Sequence, residues 1–173
     1  MQRQKEFYIP NDYCLMSEIK RILEIAIKSE IDSAENYRKM VDMTKIYLLK
    51  DKFKFLENEE VGHKKALENL FKKKFPNEEI ILPEKGEVPS PEFEVRDDMQ
   101  LSDMIKKAME AEKWASDYYK KMEGNVESED EKAIARYLSS MEESHYYLLK
   151  SELEIAYNFE LYDEIHEMMH IGP

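Results

Sequence analysis

Glutamate and histidine recur three residues apart at two interior places in this chain: Glu60 with His63 in "ENEEVGHK", and Glu142 with His145 in "MEESHY". Residues three apart share one face of a helix, so each pair can offer a carboxylate and an imidazole to a single metal ion. One such pair carries little weight in a chain this rich in glutamate. A lone glutamate is more often a solvated face residue, and a lone histidine more often a surface or hydrogen-bonded one. The weight comes from an internal repeat.

Displaced by 82 positions, the second half of the chain falls on the first. The stretch "SEIDSAENYRKM" (29–40) lies over "AEKWASDYYKKM" (111–122), pairing Glu30 with Glu112, Tyr37 with Tyr119, Lys39 with Lys121 and Met40 with Met122. Without a gap, the same offset carries Leu56 to Leu138, Glu60 to Glu142 and His63 to His145. In both halves 30 residues separate the two glutamates, and the midpoints, Lys45 and Glu127, fall beside Thr44 and in the 124–128 break. In an antiparallel hairpin, residues equally far from the turn sit at the same height. At about 1.5 Å per residue these glutamates lie roughly 22 Å from the turn, well inside a bundle, and face one another.

Four carboxylates and two imidazoles thus converge. Buried together without cations, the carboxylates would repel one another and lose their hydration, at a cost of many kcal/mol. Two divalent or trivalent ions remove that cost. Bridging carboxylates with one imidazole per ion suit iron or manganese, whereas structural zinc favours thiolates or a more nitrogen-rich tetrahedron. The expected centre is dinuclear, with Glu30, Glu60, His63, Glu112, Glu142 and His145 as ligands. Glu59 lies four residues before His63, but its repeat counterpart is Met141, which favours Glu60. Glu167 and His170 have no counterpart, since positions 85 and 88 hold Lys and Val; with His166 they could form an adventitious surface metal site, but the favoured reading is a plain polar tail.

These ligands require long helices. The apolar positions Ile19, Ile22, Leu23, Ala26, Ile27, Ala34, Tyr37 and Val41 recur at mostly three- and four-residue steps, predicting a helix over about 16–43. Thr44 is the expected cap of a second helix running to about 75, where lysines complement the C-terminal dipole before Pro76. Its apolar face takes in Phe53, Leu56, Glu60, His63, Leu67 and Leu70. Residues 76–98 hold Pro83, Pro89 and Pro91 without helical period and read as an extended crossover. A third helix from about 101 to 123 ends at Gly124-Asn125, and Ser128 with Glu131 forms a capping-box signature for a fourth, to about 159. A short fifth helix is expected around 162–170, within the tail 160–173. The prediction is a single all-α domain: two helical hairpins (16–75 and 101–159) joined by one long crossover into an antiparallel four-helix bundle.

Composition agrees. The chain of 173 residues is long enough to bury a core without a structural metal, and 37% of it is charged with Gly and Pro scarce, as in long amphipathic helices. A net charge of −12 and a pI near 4.9 argue against nucleic-acid or anionic-membrane partners. The single cysteine, Cys14, excludes an internal disulfide framework and any four-cysteine centre, suits a reducing cytosol, and reads as a small buried apolar side chain near the start of the first helix. No stretch approaches a membrane span or a secretory signal, so a cytoplasmic location is expected.

With that constellation assembled, residues 15–158 resemble the rubrerythrin group of the ferritin-like superfamily, through Glu30 with Tyr37, Glu60-x-x-His63, Glu112 with Tyr119, and Glu142-x-x-His145. The resemblance implies a four-helix bundle with a di-iron centre that reacts with hydrogen peroxide or dioxygen, commonly in a homodimer. Glu30 and Glu112 would be terminal carboxylates, Glu60 and Glu142 bridges, and His63 and His145 one nitrogen ligand per metal. Tyr37 and Tyr119 resemble the family's tyrosines that hydrogen-bond carboxylate ligands. Two departures matter. The additional glutamate often found three residues after the third-helix ligand is Ala115 here, with Ser33 at the equivalent place on the first helix, which makes the set symmetric and closer to that of bacterioferritin. The four cysteines of a rubredoxin domain are also missing, so electrons for peroxide reduction would come from a separate donor such as a rubredoxin or a reductase. Ferroxidase activity and a non-catalytic metal-binding module are the alternative readings.

Overall fold

The computed structural model describes residues 11–90 and 99–170. The side chains of Cys14 and His170, and the crossover stretch 91–98, lie outside what is described. Four helices follow one another: α1 (Asn11–Met43), α2 (Tyr47–Lys74), α3 (Leu101–Asn125) and α4 (Glu129–His170), with no strand among the described residues. Helices α1 and α2 form one antiparallel hairpin and α3 and α4 the other.

Two apolar layers hold the hairpins together. Near the α3–α4 turn, Leu23 and Ile27 of α1 pack with Leu67 and Phe71 of α2, Tyr119 of α3 and Leu138 of α4. Near the α1–α2 turn, Met40, Phe53, Leu56, Ile105 and Leu149 do the same. All four helices contribute to both layers, as the three- and four-residue periodicity requires. Ion pairs Lys52–Glu152 (3.4 Å) and Lys74–Asp130 (2.9 Å) mark the antiparallel register of α2 against α4. Such partly exposed pairs add little stability.

The crossover is clamped to α1. Lys20 meets Glu78 at 2.5 Å, the Ile81 amide donates to Glu24 at 2.9 Å, and Arg21 meets Glu87 at 3.2 Å. Gly86 lies so close to α1 that a Cβ there would stand 2.9 Å from an Asp32 carboxylate oxygen.

Three sequence expectations need correction. Thr44 does not cap α2: its amide donates to the Met40 carbonyl at 3.0 Å and so closes α1, its hydroxyl is buried without a partner, and extended Ile46 precedes α2. The fifth helix is instead the end of α4, because no Gly or Pro stands between Phe159 and His170 to break it. From Leu161 to Met169 every residue of that extension is exposed. Helix α1 also extends beyond its apolar pattern, being helical from Asn11, the first described residue. Among the described residues, no helix is long and apolar enough to cross a membrane.

Candidate metal centre

Between the two apolar layers the interior turns polar. Glu30 and Glu60 are 1% exposed and Glu112 and Glu142 3%, one from each helix, which sets four carboxylates in the middle of a protein core. His145 is buried beside them, and His63 keeps 16% of its side chain exposed. The two imidazoles stack, with centroids 5.2 Å apart and planes 20° from parallel. All six residues singled out by the repeat therefore meet.

Glu60 stands at the middle. Its Oε1 lies 3.0 Å from His145 Nδ1, and its Oε2 lies 3.4 Å from His63 Nδ1. Glu30 Oε2 approaches His63 Nδ1 at 3.6 Å, and Glu112 Oε2 approaches His145 Nδ1 at 3.8 Å. Two groups of potential ligand atoms result, each with all its atoms within 4.8 Å of one another: Glu30, Glu60 and His63, and Glu60, Glu112, Glu142 and His145. Glu60 belongs to both. Glu59 forms a third such group with His63 and His145, but it is exposed and stands outside the carboxylate cluster.

Several of these buried atoms have no aligned hydrogen-bond partner: both oxygens of Glu30, and Glu60 Oε1 and His145 Nδ1, which face each other at 3.0 Å but out of hydrogen-bond alignment. Each would cost on the order of 1–3 kcal/mol if left so. Cations set among them would satisfy all at once, and a donor set rich in carboxylate suits iron or manganese ahead of a structural zinc. The residues fit a pair of metal ions.

Electrostatics describe the same balance without metal. Burial pushes the Glu30 and Glu142 carboxyls well above the usual range, and neighbouring carboxylates push in the same direction. At Glu60 burial also raises the pKa, but His145 and His63 outweigh it and bring it down to about 2. Burial opposes charge on the imidazoles, yet the carboxylates around them lift His63 to about 9 and His145 to about 10. Without bound metal, protonated imidazoles would supply positive charge to the carboxylate cluster.

The two tyrosines differ. Tyr37 Oη donates to Glu112 Oε1 across the α1–α3 interface. Tyr119 is fully buried at the repeat-related place, but its hydroxyl has no hydrogen-bond partner. Burial holds both phenols well above their ordinary pKa, so both keep their protons. Tyr37→Phe is therefore expected to weaken metal binding roughly 10-fold or more, as loss of a hydrogen bond to a ligand does elsewhere, and Tyr119→Phe much less. Titration of each variant with cobalt(II), followed by visible absorption, checks this.

Other buried polar groups carried no signal in the sequence. Glu57, one turn before Glu60, is as buried but is ion-paired to Lys54 at 2.7 Å and Arg38 at 3.1 Å. Its repeat position is Ser139, whose hydroxyl bonds to Ser116 at 3.0 Å and draws α3 and α4 together. His166 and Glu167 lie on the exposed end of α4, far along the helix from the centre, with the His166 ring stacked on Tyr162 at 6.0 Å.

Comparison with known proteins agrees with this arrangement. The family model described as Rubrerythrin matches residues 21–153. Among solved structures, a hypothetical protein from Pyrococcus furiosus is similar, at 35% identity and a TM-score of 0.67, over 82% of this chain and 91% of that one. No curated protein matches the chain.

Proposed function

Because the chain belongs to the rubrerythrin family, we propose that it is a di-iron carboxylate redox protein that reduces hydrogen peroxide with electrons from a separate donor protein. The observation that carries this reading is Glu60, whose two oxygens face two different histidines at 3.0 and 3.4 Å, as a carboxylate shared by two metal positions must. Glu30, Glu60 and His63 would hold one ion, and Glu112, Glu142 and His145, with Glu60 again, the other. The family resemblance would make Glu30 and Glu112 terminal carboxylates and Glu60 and Glu142 bridges; of those two, Glu60 is the one that stands in both groups of ligand atoms. Bound iron supplies the two electrons that, with two protons, split the O–O bond of peroxide into two waters.

The protein's own part is positional and electrostatic. Four buried carboxylates would balance the charge of two divalent ions, and the apolar layers above and below limit the access of bulk water. Tyr37 holds its proton on Oη and orients Glu112 by donating to it. The phenol's raised pKa keeps it a hydrogen-bond donor rather than an acid. The proposed electron donor is a separate protein such as a rubredoxin or a reductase, and the net charge of −12 favours one that presents a basic patch.

Anaerobic loading with ferrous iron followed by stopped-flow absorption tests the proposal. Two irons per chain, with near-ultraviolet charge-transfer absorption that grows much faster with peroxide than with air, is the expected result. Faster oxidation by air would turn the reading to ferroxidase, and failure to take up iron would remove the redox reading altogether.

A further inference from the structure

We propose that the oxidant enters between α1 and α3, through a small cavity that reaches Glu112 beneath the crossover, and that this cavity restricts the centre to hydrogen peroxide and molecules of its size. The inference rests on the redox reading above and adds a route and a size limit to it.

The cavity is about 40 Å³. Its walls are Ser29, Ser33 and Asn36 of α1 against Ala111 and Ala115 of α3, and the buried Glu112 is part of the lining. A second, smaller cavity of about 20 Å³ continues along the same seam toward Tyr37 and shares Ser33, Asn36, Ala111 and Glu112 with the first. Both thus reach the carboxylate that Tyr37 orients and that groups with Glu60, Glu142 and His145. The space exists because the facing side chains are small: Ser29 and Ser33 lie one turn apart on α1, as do Ala111 and Ala115 on α3.

Size and polarity select the occupant. A cavity needs roughly 10–15 Å³ of such volume to hold one water, so this one admits a molecule of two oxygens and excludes an aryl or branched alkyl hydroperoxide. The serine hydroxyls and the Asn36 amide offer both donors and acceptors, as a peroxide requires. Asp32, also in the lining, makes the route unfavourable for anions. Gly86, Val88 and Pro89 of the crossover roof the cavity. The crossover meets α1 through Glu78, Ile81 and Glu87, and Gly86 sits against Asp32, which places that roof directly over the seam.

Filling the seam from either side tests the route. Ser33→Val on α1 and Ala111→Leu on α3 line both cavities and are not among the proposed ligands, so metal uptake in each reports that the centre is intact. Nitric oxide serves as a neutral diatomic probe whose binding to the ferrous-loaded protein, followed by stopped-flow absorption, needs no turnover. Both variants are expected to take up two ferrous ions as the native protein does, while nitric oxide binding and peroxide reaction slow several-fold in parallel. Cumene hydroperoxide should react poorly even with the native protein. Loaded variants that bind nitric oxide and react with peroxide at native rates, or a native protein that consumes cumene hydroperoxide as readily as hydrogen peroxide, would overturn the route and leave the redox reading standing. A native protein that takes up no iron would sink both.

Discussion

Glu60→Ala is expected to empty both metal positions at once, whereas Glu30→Ala should empty one. The difference follows from geometry. Glu60 is the one residue common to the two groups of ligand atoms, and each of its oxygens faces a different imidazole. Glu30 belongs only to the group with His63, and Glu142 only to the group with His145. Four-ligand structural zinc sites bind with about 10–16 kcal/mol, and the scale this sets, roughly 3 kcal/mol per ligand, corresponds to about 100-fold or more in affinity for each ion that loses one. For Glu60→Ala that loss applies twice, and the two imidazoles also lose the carboxylate between them. Anaerobic equilibrium dialysis against manganese(II) or iron(II) should count two ions for the native protein, about one for Glu30→Ala and none for Glu60→Ala at the same free metal. A Glu60→Ala protein that retains one tight ion would mean the positions are independent and Glu60 bridges nothing.

The site was more legible in the sequence than the elements that frame it. A helix repeats its environment every three or four residues, and an antiparallel hairpin brings equal distances from its turn to equal heights. One offset of 82 therefore predicted that Glu30, Glu60, Glu112 and Glu142 would meet, and they do, with His63 and His145 beside them. The same repeat pairs Tyr119 with Tyr37, yet only Tyr37 makes the hydrogen bond. A symmetric sequence does not dictate symmetric contacts when the neighbouring side chains differ, as Glu57 and Ser139 do at another repeat-related pair. Helix ends were harder to read. Thr44 carries the right side chain for a cap, but its backbone amide finishes α1 instead. Past Phe159, Leu161, Tyr162, Ile165, Met168 and Met169 continue at helical spacing but stay exposed, and the helix, meeting no breaker, runs on through them as part of α4. The crossover has no period at all, and its attachment along α1 depends on single ion pairs and on the space at Gly86, which only the folded chain brings together.

Metal binding and rising pH are expected to act in opposite directions on this fold. In the metal-free protein His63 and His145 have pKa values raised from 6.5 to about 9 and about 10. A raised histidine stabilises the fold fully below its unfolded pKa and loses that contribution as pH climbs through the folded one, here from about 6.5 to 10. The raised carboxyls of Glu30 and Glu142 have the same sign: what they contribute is complete below 4.5 and declines above it. Glu60, lowered to about 2, has the opposite sign and weakens the fold only in acid, from 4.5 downward. The metal-free protein should therefore melt at progressively lower temperature between pH 6 and 9. Bound ions require those same nitrogens and oxygens without protons. Expelling one proton from each imidazole makes the joint affinity for two ions rise about 100-fold per pH unit until the histidines titrate, and more steeply where Glu30 and Glu142 also release protons. Calorimetric melting with and without excess manganese(II), which binds without redox change, should show a gap that widens steadily from pH 6 to 9. A gap that stays constant would mean that metal displaces no protons from His63 and His145, and a gap that narrows would place the ions somewhere other than this buried cluster.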